Sequence, residues 1–342
     1  MANSIARPDT INKLRFAADA ALAMLAGMQL DVFTPMREGP MAPEQIATAI
    51  GVKADRLRLL LWALVAAGLL TEKDGRFSNT QETNQFLVKD APAYMGDRHA
   101  NLSSAWGWKL KTADSIRTGM PQAKIDFFHS PPAELEAFLR RINMNTVAAA
   151  HSLLERCDFS STKTLADVGC GGAGLALTIT KACPHIQATA IDLAQITPIA
   201  QKIVNEENAA GRIKVVAADV LSGPLHGAYE SVILRNLLQV LSPEDARLAV
   251  KNIGAAVSPG GSIYIIGQIL DDSRTSPAEA VWFNLNFINT FDAGESYTEH
   301  EHREWLSEAG FVDIERAKTP LAQGLGLMTA RKPTRAGRSV SG

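Results

Sequence analysis

One stretch constrains this chain more than any other. Residues 164–168 are apolar with a single acid, residues 169–174 are dense in glycine, and residues 175–181 carry the apolar spacing of a helix start. Glycines at 169, 171, 172 and 174 allow positive φ angles and let a ligand approach the backbone closely. A strand, a glycine turn and a helix N-terminus together present backbone N–H groups and the positive end of a helix dipole. Taken alone, such a turn is also compatible with an ordinary tight loop.

Three further segments raise the expectation of a binding corner. Residues 186–192 read as a second strand ending in Asp192, placed where a ribose diol would sit. Residues 215–219 repeat the pattern with Asp219, and residues 231–235 form a fourth strand ending in Arg235. Charged residues closing successive strands gather at the carboxyl edge of a parallel sheet, where α/β proteins bind ligands. The alternation continues through a strand at 258–267, a helix at 299–309 and closing strands within 311–330. The expected class is α/β, a doubly wound Rossmann-like sheet.

Ahead of it, residues 11–30, 41–51 and 53–68 have helical spacing, and residues 69–78 read as two short strands around Asp74-Gly75. Helix, helix and hairpin in this order make a winged helix, mostly helical apart from its wing. DNA reading requires polar and basic side chains on the second helix. Here that helix carries Leu57, Leu59, Leu60, Leu61, Trp62, Leu64 and Val65 beside Arg56 and Arg58. It must therefore bury more than one face, against another domain or another subunit. Neither a DNA nor a membrane partner is expected: the net charge is −2, and no apolar run reaches a membrane-spanning length. With no apolar signal core at the N-terminus, cytoplasmic residence is the default expectation. Cys157, Cys170 and Cys183 have neither metal-ligand nor disulfide-framework spacing, so no metal is expected.

The division expected is a winged-helix-like dimerisation domain over 1–92, a helical connector lining a substrate pocket over 93–155, a Rossmann-like ligand-binding domain over 156–332, and a loose basic tail over 333–342. The long helix at 131–155 offers Phe138, Arg141 and Asn145 as candidate substrate contacts. An inward Arg141 would suit a carboxylate, and a solvated Arg pair at 140 and 141 is the alternative. Residues 282–291 are amphipathic and place Asn284, Asn286 and Asn289 at what reads as one-face spacing.

The winged-helix front half, the Asp-x-Gly-x-Gly corner, the strand-end acids, and the stretches LRNLLQVLSPEDA and YTEHEHREWLSEAGF together resemble the small-molecule O-methyltransferases that include plant caffeate and animal acetylserotonin enzymes. The resemblance covers roughly residues 12–330. It implies a homodimer held by the N-terminal domain, a small-molecule methyl acceptor, and S-adenosyl-L-methionine as cofactor, leaving as S-adenosyl-L-homocysteine. By the same resemblance Gly169 and Gly171 approach the methionine part, and Asp192, followed by Leu193, takes the ribose. Asp219 and Val220 flank the adenine, and Arg235 lies near the cofactor. The third glycine of the family's Gly-x-Gly-x-Gly is Ala173.

The chemistry departs from the family more sharply. The family's general base is a histidine at the position of Gln239, and its two orienting glutamates fall on Gly267 and Ser296. Gln239 is expected to position the acceptor, since a carboxamide takes no proton at accessible pH. A phenol of pKa near 10 is only about one part in a thousand ionised at pH 7, roughly 4 kcal/mol from its reactive form. A positioned base contributes on the order of 10²–10⁴-fold. The loss costs nothing if the acceptor atom carries no proton, as in a thioether sulfur, where methyl transfer needs proximity and alignment. Within the superfamily, the S-methyltransferase branch acting on methylthiohydroxybutyrate in dimethylsulfoniopropionate synthesis fits that logic. An O- or C-methyltransferase on a phenolic or other aromatic molecule, drawing a base from His99, His300 or His302, is the alternative. A non-catalytic regulatory dimer is a remote one.

Overall fold

The structure is a computed structural model that describes residues 6–91 and 93–334, without the side chains of Asp97 and Gln323. Most of the expected tail, residues 335–342, and the first five residues lie outside the described residues. The chain divides into two compact units, one up to Gly107 and one from Trp108.

In the first unit, α1 (Asp9–Gln29), α2 (Pro43–Ile50) and α3 (Ala54–Ala66) precede the antiparallel pair β1 (Leu70–Lys73) and β2 (Arg76–Asn79), then α4 (Gln81–Phe86). Proline in the first turn and a left-handed Gly51 just beyond the last residue delimit α2. Asp74 and Gly75 both take positive φ, as a two-residue hairpin turn requires. The core gathers Met28, Val32, Phe33, Ile46, Phe77 and one face of α3, namely Leu57, Leu61 and Leu64. Within the chain this is the face of the helix that is buried, and the cover expected for its other apolar side chains from a second subunit is a separate matter. The i, i+4, i+7 stripe fills the unit's own core, while Leu59 and Trp62 stay 57% and 52% exposed.

The second unit takes in the end of α5 (His99–Lys109), then α6 (Thr112–Thr118) and α7 (Pro132–Leu154). The alternating part follows: β3 (Thr164–Val168), α8 (Gly174–Ala182), β4 (Gln187–Asp192), α9 (Thr197–Glu206), β5 (Ile213–Ala217), β6 (Tyr229–Arg235), α10 (Pro243–Gly254) and β7 (Val257–Gly267). It closes with α11 (Ala278–Thr290), α12 (Glu299–Glu308), β8 (Val312–Arg316) and β9 (Gly326–Arg331).

The seven strands lie in the order β5-β4-β3-β6-β7-β9-β8. The first five are parallel, and β9 pairs antiparallel with both β7 and β8. Both faces are covered, as a parallel sheet demands. Leu165, Ala190, Ile233 and Ile266 point into one core with Leu153, Leu175 and Ile179. Their chain neighbours Ala166, Ile191, Val232 and Ile265 point into the other with Val250, Ile253 and Trp305. The chain winds outward from β3 to β5, then returns to start again at β6. The switch point therefore lies between β3 and β6, where their carboxyl ends leave a crevice.

A candidate cofactor corner and acceptor pocket

At the end of β3 the backbone takes φ of +71° at Gly169, +53° at Gly171 and +57° at Ala173. Ala173 thus adopts the left-handed conformation that glycine holds more cheaply, and the turn keeps its shape despite the methyl. The N–H groups of Gly169 and Cys170 both donate to the Ile191 carbonyl, at 2.8 and 3.1 Å. Gly171 donates to Asp192 Oδ2 at 2.8 Å, and Leu193 donates to Oδ1 at 2.8 Å. Asp192 is therefore locked at the rim of the glycine turn, its carboxyl raised above the ordinary range chiefly by burial. One further link joins the loops: Ala218 N–H donates to the Asp192 carbonyl at 2.9 Å.

Asp219 is exposed and caps its own loop, accepting from Leu221 N–H at 2.9 Å and Ser222 Oγ at 3.1 Å. Val220 is buried beside it, and its carbonyl accepts from Asn252 Nδ2 at 2.7 Å. Leu193 packs partly buried against Leu139, Ile196, Ile199 and Ile203.

The long helix α7 crosses the glycine turn, which sequence reasoning did not foresee. A Cβ on Gly174 would lie 2.2 Å from Asn143 Oδ1, and one on Gly172 would lie 3.2 Å from the same side chain. Leu139, Asn143 and Thr146 follow one helical face, spaced i, i+4, i+7, and that spacing was the available signal. Asn143 Oδ1 is buried with no hydrogen-bond partner among the described residues. The expected contacts on this helix sit differently. Arg141 is exposed, with its guanidinium 6.0 Å from the Phe138 ring centroid, and Asn145 is half-buried. Phe138 itself belongs to an aromatic cluster, 6.2 Å from Phe127, which stacks at 6.1 Å on Phe291.

Asp167, the acid of the Asp-x-Gly-x-Gly corner, to which the sequence reading gave no role, lies near the end of β3 almost wholly buried and accepts from Ala176 N–H at 3.1 Å. Burial pushes its carboxyl up to about 7, and the nearby Arg235 offsets only part of this. Arg235, at the end of β6, is itself brought down to about 10 by burial. Desolvation outweighs mutual attraction on both partners, so the pair is a crowded charge site and not a simple salt bridge. Arg235 Nη1 donates to Thr146 Oγ1 at 3.2 Å, while its Nε has no partner among the described residues. Cys170 is buried in the same corner with its thiol pushed well up, so it has no nucleophilic character.

Gln239 follows β6 in a short 3-10 turn (Leu238–Val240) and is 0% exposed. Neither atom of its amide has a hydrogen-bond partner among the described residues. A Cβ placed on Gly267 would lie 1.9 Å from its Nε2, so the side chain occupies the space a residue at 267 would need. Ser296 is fully buried, donating its N–H to Asn284 Oδ1 at 2.7 Å and its hydroxyl to the Ala280 carbonyl at 3.2 Å.

The three asparagines of α11 do not share a face. Asn284 and Asn286, two residues apart, point to nearly opposite sides at 100° per residue, whereas Asn286 and Asn289 do share one. Asn289 is engaged on three sides: Oδ1 accepts from Ser115 Oγ at 2.7 Å, and Nδ2 donates to Thr112 Oγ1 at 2.8 Å and to the Leu285 carbonyl at 2.6 Å. Asn286 is buried with its Oδ1 lacking a partner among the described residues.

Of the alternative bases, His300 is exposed, and His99 is half-buried in the first unit. His302, expected on an exposed helix start, is instead fully buried against Tyr297 and Trp305. Its Nδ1 lies 2.7 Å from the Thr298 carbonyl, and burial lowers its basicity. Trp305 and Leu306 lie three and four residues after His302, so the three share the face of α12 that turns inward behind the capping box at Thr298. Among the described residues no cluster of three or more His, Cys, Asp or Glu side chains is arranged to hold a metal, and no helix is long and apolar enough to cross a membrane.

Comparison with known proteins agrees with this architecture. Residues 118–312 match the family model of the O-methyltransferase domain, and residues 15–89 match that of the O-methyltransferase dimerisation domain. The chain is 28% identical over 315 residues to the tetracenomycin polyketide synthesis 8-O-methyl transferase TcmO of Streptomyces glaucescens, covering 90% of this chain and 92% of that protein. It is 26% identical over 314 residues to a 3-hydroxy-5-methyl-1-naphthoate 3-O-methyltransferase of Streptomyces sahachiroi, covering 88% and 89%. Human N-acetylserotonin methyltransferase, solved in complex with S-adenosylmethionine, shares the fold at a TM-score of 0.75 and 22% identity, over 98% of this chain and 100% of that one. With its dimerisation domain set ahead of the glycine corner and the β6 turn, the chain belongs to the O-methyltransferase family.

Proposed function

We propose that this enzyme transfers a methyl group from S-adenosylmethionine to a small acceptor whose reacting atom carries no proton to be removed. The preferred acceptor is a thioether sulfur, as in 4-methylthio-2-hydroxybutyrate, giving a sulfonium product. The observation that carries this reading is the environment of Gln239: a neutral amide, packed onto Gly267, where the family's histidine and its orienting carboxylate would stand.

The corner is suited to the cofactor. Both Asp192 oxygens already accept one backbone N–H and keep further lone pairs for a ribose diol. Gly169 and Gly171 put no side chain beside Asp192, and the exposed Asp219 with Val220 would flank the adenine. Arg235 would hold the polar end of the methionine part with its unpartnered Nε. When bound, the sulfonium supplies an activated methyl group. The chain's part is to align the acceptor sulfur in line with it and to exclude water, and no side chain has to move a proton. Leu237 and Leu139, which face Gly169 and Gly171, keep that corner apolar. Of the weaker acceptor contacts, Phe138 and Asn286 remain candidates, while the bonds of Asn289 favour a structural role.

A second reading, methylation of a phenolic oxygen, is favoured by the aromatic cluster of Phe127, Phe138, Phe283, Phe287 and Phe291 and by the two O-methyltransferase relatives. The deciding experiment is S-adenosylhomocysteine release with 4-methylthio-2-hydroxybutyrate beside a catechol such as caffeate, from pH 6 to 10. Thioether turnover with a flat pH profile is expected. Turnover of the phenol alone, climbing with pH, would replace the sulfur reading by the oxygen one. The enzyme is further proposed to act as a homodimer through its N-terminal domain.

A further inference from the structure

Buried polar atoms are almost always hydrogen-bonded, so a concentration of exceptions marks a place built to meet a ligand. In the second unit such atoms collect just beyond the carboxyl ends of β6 and β7: Arg235 Nε, Asn236 Oδ1, both amide atoms of Gln239 and Gln268 Oε1. Asn236 holds a left-handed φ of +53° at this point, which asparagine adopts more readily than most residues with a side chain. Gln239 alone offers a donor and an acceptor side by side, and Gly267 is the recess that admits its amide.

We infer that Gln239, seated against Gly267, determines specificity by reading a donor–acceptor pair on the methyl acceptor, of the kind a 2-hydroxy acid or a carboxamide presents. Nε2 donates to the ligand's carboxylate or carbonyl oxygen, and Oε1 accepts from its hydroxyl or N–H. The inference rests on the proposed acceptor pocket but not on which atom takes the methyl group. The pocket would thus discriminate by hydrogen bonding, which rejects analogues lacking the matching group more strongly than apolar shape does.

The test uses two matched pairs with the full-length enzyme: 4-methylthio-2-hydroxybutyrate against 4-methylthiobutyrate, and salicylamide against phenol. kcat and KM are measured for wild type, Gln239→Leu and Gly267→Ala, with S-adenosylhomocysteine affinity by calorimetry as the control for an intact fold and cofactor site. Wild type should prefer the member with the donor–acceptor pair by about tenfold or more in kcat/KM. Gln239→Leu should erase that preference mainly through KM, and Gly267→Ala, whose methyl displaces the amide, should weaken it. Cofactor affinity should stay unchanged in both variants. An equal preference in wild type and Gln239→Leu overturns the inference. Turnover of the phenolic pair alone defeats the sulfur reading while still testing this one through salicylamide. No turnover of either pair with cofactor binding intact overturns both.

Discussion

Asp192 and Gly171 hold each other across the mouth of the glycine turn, the carboxylate accepting the Gly171 N–H at 2.8 Å. The same carboxylate fixes the Leu193 N–H, so one side chain sets the geometry of two loops at once. Both bonds favour the charged carboxylate and offset part of the rise that burial causes.

If Asp192 takes the ribose diol as proposed, Asp192→Ala removes two charge-assisted hydrogen bonds of about 1.5–3 kcal/mol each. S-adenosylhomocysteine affinity, measured by calorimetry, should fall on the order of 10²–10⁴-fold. An unchanged affinity would remove Asp192 from the cofactor site.

Asp167 predicts a pH effect on stability whose sign is opposite to the usual carboxylate case. Its carboxyl is pushed up to about 7 by burial, whereas in the unfolded chain it titrates near 4. Between those values the folded state keeps a proton that the unfolded state releases, so stability falls as pH rises and levels off above about 7. Asp167→Asn removes this slope. In thermal melts of the cofactor-free enzyme from pH 4.5 to 8, the difference in Tm between variant and wild type should shift steadily in the variant's favour. The offset also contains the lost attraction to Arg235, so the slope, not the absolute Tm, is the readout. Parallel melting curves across that range would contradict the raised carboxyl.

The sheet and most of its strand-end charges were legible in the sequence because each is a local pattern, an apolar run closed by a charge, although Asp219 lies in the loop beyond β5 (Ile213–Ala217) and does not end it. The glycine corner was legible for the same reason. What sat above it was not. Asn143 faces the turn and Arg141 does not, which depends on the rotation of α7 about its axis, and two residues on a helix reverse direction. His302 was misplaced because its neighbours in sequence are acidic, whereas its neighbours in space are Tyr297 and Trp305. The replacement of His and Glu by Gln239 and Gly267 was read from sequence, but their direct packing was visible only in the fold.

Asn289 joins α11 to α6 through Ser115 and Thr112, and its 0% exposure leaves no solvent to replace lost bonds. Asn289→Ala should destabilise the second unit by about 2–4 kcal/mol, since it strands buried partners as well as deleting the amide. Guanidinium unfolding would report this as a lower midpoint. Acceptor KM measured well below the transition should stay within about twofold. A large KM change at unaltered stability would return Asn289 to the list of substrate contacts.

The first unit carries apolar side chains that its own core leaves uncovered. On α1, Ile11, Leu14 and Leu22 fall on one face, at 70%, 65% and 55% exposure, and on α3 Leu59 and Trp62 lie i, i+3 apart. Scattered exposed hydrophobics need no explanation, but aligned ones on two helices do. Covering an exposed Leu or Trp contributes roughly 1.5–3 kcal/mol per side chain, so two charges placed there oppose association strongly. Leu59→Asp with Trp62→Asp should convert the enzyme from twice the 36.7 kDa chain mass to a single chain in light scattering after size exclusion. Because neither side chain belongs to the buried stripe of Leu57, Leu61 and Leu64, the monomer should keep its helical circular dichroism. A double variant that remains a dimer would place the interface elsewhere on the chain.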